Sequence, residues 1–177
     1  MKALLMALAF AAAAHAAPRT VHGSFSWEEP KGWASRDDWA SAVPTYALTD
    51  GEASLSVTLY RAGNPLFPEA KAYRAHRLAA RGGTGKPRRA GETVTASGKA
   101  EAWEQDYTDA SSAVHGAARA GVPMRERYAL LERGGAFWVL SVKAPQARFA
   151  PAARAFAAAA AQFRVLADPG ARGAIRL

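Results

Sequence analysis

Histidines, paired acids and a glycine-rich stretch are the residues through which this chain would do chemistry. Beyond residue 16 the histidines are His22, His76 and His115, with no His-x-His or His-x-x-x-His spacing, so a metal site would need three distant segments to converge. Two adjacent acidic pairs, Glu28-Glu29 and Asp37-Asp38, have the chemistry to hold calcium or to act as acid and base. Neighbours on a strand point to opposite faces, so Glu28 and Glu29 do not aim at one substrate. Asp37-Asp38 falls in a polar stretch and reads as solvated charge. "GGTGKP" resembles a phosphate loop but lacks its parts: Ala80 stands six before Lys86 where glycine is needed, and Pro87 replaces the magnesium-binding hydroxyl. Ser111-Ser112 carries no Gly-x-Ser-x-Gly elbow. No catalytic residue, cofactor or metal site is expected, and the chain reads as a non-enzyme.

Cysteine is absent, which removes disulfides, thiolate nucleophiles and lipobox anchoring together. "MKALLMALAFAAAAHAAP" carries a basic Lys2, an apolar run over Ala3 to Ala14 and an Ala14-His15-Ala16 cleavage site, the pattern of an export signal over residues 1–16. The run is shorter than the ~20 residues that span a bilayer, so no transmembrane segment is expected in the mature chain. The chain has 23 basic and 15 acidic residues, +8; without Lys2 the balance is +7. An exported protein meets anionic lipids, glycans and acidic proteins and not nucleic acid, and a periplasmic or secreted location follows.

Which elements would position a contact surface? Phe25 and Trp27 alternate with Ser24, Ser26 and Glu28 as in a half-buried strand, and Pro30-Lys31-Gly32 turns the chain to place Trp33 over them. Residues 34–44 read as polar and irregular. Trp39 sits there with nothing local to bury it, which makes it a candidate partner contact. "TYALTDGEASLSVTLY" reads as a hairpin about Asp50-Gly51, and Pro68 opens an amphipathic helix that packs Tyr73 and Leu78 on the sheet.

"GGTGKPRRAGE" reads as a mobile basic loop; Arg81, Lys86, Arg88 and Arg89 are four cations in nine residues, candidates for an anionic partner. Strands follow at Val94 and at "KAEAWEQDYT", divided by Ser97-Gly98, then a surface loop over Asp109 to Pro123. "RERYALLERGGAFWVLSVKAP" forms a second hairpin whose last strand is apolar on both faces and therefore central. Pro145 ends it, and an alanine-rich helix carries Phe149, Phe156 and Phe163 at sevenfold spacing as a docking stripe. The expected fold is α+β: one domain over residues 17–166, an antiparallel sheet of about six to seven strands with helices packed on it, and a tail over 167–177.

"FSWEEPKGW", "SGKAEAW", "ERYALLERGGAFWVLSVKAP" and the closing "FRVL" together resemble the PsbP-like superfamily from about Gly23 to Leu166. That superfamily includes photosystem II extrinsic subunits, a Ran-binding import factor and bacterial exported proteins. The resemblance implies an α/β/α sandwich used as an accessory or adaptor module without shared catalytic chemistry. The function expected is binding of another cell-envelope component, a protein or an anionic surface. The alternative is a small-molecule or lipid carrier with a cleft lined by Tyr73, Trp103, Tyr107 and Trp138.

Overall fold

A computed structural model of the protein describes residues 18–79, 85–109 and 121–166. The expected export signal and C-terminal tail lie outside the described residues, as do Arg81 and His115.

Alternation builds the centre. In β4 (Thr45–Thr49) and β5 (Ser54–Tyr60) every second side chain is buried. Between them Asp50 Oδ1 accepts the backbone N–H of Glu52 and Ala53 at 3.0 and 2.7 Å, and Gly51 takes φ +94°, a left-handed value that a side chain would strain. The second hairpin joins β8 (Val122–Arg133) to β9 (Ala136–Pro145) through Gly134-Gly135, both at positive φ, the primed turn that matches strand twist. Buried residues occur on both faces of β9, and it lies in the middle of a seven-stranded antiparallel sheet. The order is β3-β4-β5-β9-β8-β7-β6, with β3 at Ala34–Asp38, β6 at Arg88–Thr95 and β7 at Gly98–Asp109.

The nine-residue helix α1 (Ala70–Leu78) covers one sheet face, its Tyr73 packed in a cluster with Tyr128, Leu130, Phe137 and Val139. Helix α2 (Phe149–Ala161) covers the other, with Phe149, Phe156 and the following Phe163 all buried as the sevenfold spacing predicts. Pro151 costs α2 little, because first-turn N–H groups lack partners in any helix. Beside α2 a three-stranded sheet, ordered β1 (Arg19–Val21), β2 (Phe25–Trp27) and β10 (Arg164–Val165), closes the same face.

Three expectations need correction. Residues 34–38 are not irregular: they form the edge strand β3, exposed at all five positions, whose order comes from its ladder to β4 and not from a buried face of its own. The basic run is not a loop from Arg88 onward, because Arg88 and Arg89 pair with Glu104 and Trp103 of β7. Asp109 and Val122–Pro123 belong to paired strands β7 and β8.

Phe25 holds the small sheet to the large one. Its fully buried ring lies 5.3 to 6.3 Å from the rings of Phe163, Trp39, Trp138, Trp27 and Tyr46. Trp33, expected to close onto this group, packs half-buried at its margin; Trp39 is the ring that arrives from that segment. Phe25→Ala is expected to cost about 3–5 kcal/mol, and Trp33→Ala clearly less. Urea unfolding checks both, and equal midpoint shifts would contradict this assignment.

Candidate binding site

Val21 to Ser24 form a tight turn, closed by Ser24 N–H donating to Val21 O at 2.9 Å, with φ +48° at His22 and +62° at Gly23. Histidine tolerates this left-handed conformation better than most residues. The turn carries the imidazole to β3, where His22 Nε2 lies 2.7 Å from Asp37 Oδ2. Asp37 Oδ1 accepts the Trp39 backbone N–H at 3.0 Å. The bond to His22, with the Trp39 N–H, holds the Asp37 carboxyl below the usual carboxylate range against the opposing effect of desolvation. The His22 ring stacks on Trp39 at 5.5 Å and 5°, and the indole continues inward to Phe25 and to Trp138 at 6.2 Å. Trp39 is thus half-buried, with one flank in the core and another under a half-exposed imidazole. Its local surroundings are polar; the covering groups come from fourteen and more residues away.

The basic candidates do not form one patch. Lys86 is exposed ahead of β6. Arg88 and Arg89 are successive strand residues and point to opposite faces. Arg88 Nη2 donates to Glu104 Oε2 at 2.7 Å and approaches Asp106 at 3.7 Å, while Arg89 lies 3.5 Å from Glu101. Arg127 also bonds Glu104, and Arg125 grips Asp106 with two bonds of 2.6 and 3.0 Å. Desolvation raises the Glu104 pKa, but the bonds from Arg127 and Arg88 outweigh it and leave the carboxyl below its usual range.

Of the four residues expected to line a carrier cleft, Tyr73 and Trp103 pack with the cluster under α1, and Tyr107 lies near Arg77 and Glu126 of that face. Trp138 faces the other way, fully buried against Phe25 and Phe163. Parity on β9 separates them: Phe137 and Val139 serve one face, Trp138, Leu140 and Val142 the other. Under α1 the volume is filled by Tyr60, Tyr73 and Phe137 at 4.7 to 5.6 Å, and by Arg77, whose guanidinium lies 4.6 Å over the Tyr128 ring and donates to Glu126 at 2.5 Å. Burial pushes the Tyr73 hydroxyl far above its ordinary range. Depressions of about 160 to 310 Å³ open to solvent, one lined by Trp33 and Arg148 and another at the start of α1 lined by Ala70, Glu132 and Phe137.

His76 is exposed on α1 with its ring 5.0 Å from Phe67. Glu29 accepts the Tyr46 hydroxyl at 2.6 Å and pairs with Arg19, a structural role. Among the described residues no three His, Cys, Asp or Glu side chains are placed to hold a metal ion. Nor is any helix there long and apolar enough to cross a membrane.

The fold is similar to that of cyanobacterial PsbP (CyanoP) from Synechocystis sp. PCC 6803 in solution, with a TM-score of 0.46 and 15% identity over 91% of this chain and 98% of that one. The likeness is one of fold. No protein-family model matches the chain, and no curated protein matches it at a significant level.

A lowered carboxylate pKa stabilises the folded state above the unfolded value, and that contribution is lost as pH falls through the folded one. Glu104→Gln is therefore expected to lower stability by about 1–3 kcal/mol at pH 7, with both arginines partly solvated. The difference from the wild type should shrink below roughly pH 4. Denaturation across pH 3–7 checks this; a pH-independent difference would contradict it.

Proposed function

We propose that the protein is an exported, non-enzymatic binding module that engages another component of the cell envelope at the end of the sheet carrying His22, Asp37 and Trp39. The observation that carries this reading is the filling of both sheet faces by rings. Trp138, Phe25 and Phe156 on one side and Tyr128 and Phe137 on the other are buried to 2% exposure or less, so recognition falls to the outer surface. On that surface the imidazole, the carboxylate and the indole edge are ordered by mutual contacts before any partner arrives. Such preorganisation lowers the entropy lost on binding.

Support for an anionic-surface contact is narrower, since Arg88 and Arg89 are committed to acids within the fold and Lys86 is exposed without such a partner among the described residues. The carrier alternative loses Trp138 to the opposite face and has no support of its own. Export rests on the opening residues, and the mature chain is expected to begin at Ala17. Intact mass of the protein recovered from outside the cytoplasm checks this; a retained leader would contradict it.

Crosslinking in living cells, followed by purification of the tagged mature protein and mass spectrometry, tests the module reading. One envelope component is expected to come with the wild type, and its recovery to fall at least about tenfold with Trp39→Ala. His22→Ala, at a half-exposed turn, should reduce it without unfolding the protein. Equal recovery with both variants, or no companion with the wild type, would overturn the reading.

A further inference from the structure

We infer that the outer edge of β3 pairs antiparallel with β3 of a second copy, joining the two seven-stranded sheets about a two-fold axis. This goes beyond the envelope contact proposed above and does not depend on it. A sheet edge presents unpaired backbone donors and acceptors, and folds ordinarily blunt it with bulges or with very short strands. At the far edge, β6 is blunted by a register break between Arg89 and Glu92, with Gly91 at φ +87°. The edges of the small sheet, β1 and β10, are three and two residues long. Edge strand β3 has neither device: five consecutive exposed residues run in unbroken register against β4, and none is proline.

Its side chains select a register. Residues directly opposed in an antiparallel pair share a face, so a two-fold pair must be centred on a residue, with each contact made twice. Centring on Arg36 opposes two arginines. Centring on Ser35 or on Asp38 leaves Arg36 without an acid opposite it. Centring on Asp37 sets Arg36 of each copy opposite Asp38 of the other, giving two ion pairs on one face. Arg36 and Asp38 are both exposed, and neither has an ion-pair partner among the described residues. On the other face this register opposes the two Asp37 carboxylates, each already bonded to its own His22 imidazole at 2.7 Å. Charges that guard the edge against other strands thus make it complementary to itself.

Sedimentation velocity of the mature protein at low salt is expected to show a concentration-dependent dimer that dissociates as salt rises. Arg36→Asp and Asp38→Arg should each weaken it at least about tenfold, because each places like charges opposite one another. Their combination restores two opposite-charge pairs and should restore the dimer. Both changes lie on an exposed strand, and unaltered circular dichroism of the three variants confirms folding. A wild type that stays monomeric, single reversals without effect, or a double reversal that stays monomeric would each overturn the pairing. The pairing is centred on Asp37 and so shares its place with the envelope contact, which the crosslinking of Trp39 and His22 variants tests separately.

Discussion

The packing of Phe25 against five other aromatic rings is the contact on which the rest of the architecture depends. Without cysteine, the chain has no covalent closure, and β1 and β10 are held by burial together with hydrogen bonds such as Val165 N–H to Ser97 Oγ at 2.8 Å. Val165 pairs with Phe25 in the small sheet, and Phe163 packs tilted on the same ring at 5.3 Å, so the chain just beyond α2 is tied to the strand near the opposite end of the sequence. There is an opposing cost: the indole N–H groups of Trp27 and Trp138 are buried there without an acceptor among the described residues. Each such donor costs about 1–3 kcal/mol. Full burial of one aromatic contributes about 1.5–3 kcal/mol and each well-placed ring pair about 0.5–1.5 more, so a five-partner cluster outweighs two orphaned donors.

A filled interior also decides where charge goes. Strands β7 and β8 carry their ionic residues in cross-strand register, with Glu104 opposite Arg127 and Asp106 opposite Arg125. Arg88, Arg125 and Arg127 are therefore paired locally, and the number of basic residues says little about a continuous basic surface. What remains unabsorbed at the sheet margin is the β3 segment, where an imidazole, two carboxylates and an indole edge meet an open strand.

Residue patterns exposed the centre of the fold and hid its edges, for a physical reason. Burial on both faces of β9 reads directly from "AFWVLSV", and the turns at Asp50-Gly51 and Gly134-Gly135 read from glycines that positive φ requires. Strand β3 left no such trace, since a strand exposed at every position needs no apolar period and is defined by its neighbour's hydrogen bonds. The same holds for Arg88-Arg89, whose acidic partners lie twelve and more residues further on. Trp39 was legible as a large ring without local cover. Its cover comes from His22 and Trp138, contacts that spacing along the chain does not reveal. Glycine and aromatic placement carried the architecture, whereas the candidate site depends on long-range pairing.

Native-state hydrogen exchange of the Phe25 and Ser26 amides tests the governing contact most directly. If Phe25 fastens the small sheet to the large one, these amides, where protected, exchange only with global unfolding, at the free energy measured for β9 amides such as Leu140. Exchange at much lower free energy, while β9 stays protected, would mean that the small sheet opens alone and that the ring cluster does not hold the two sheets together.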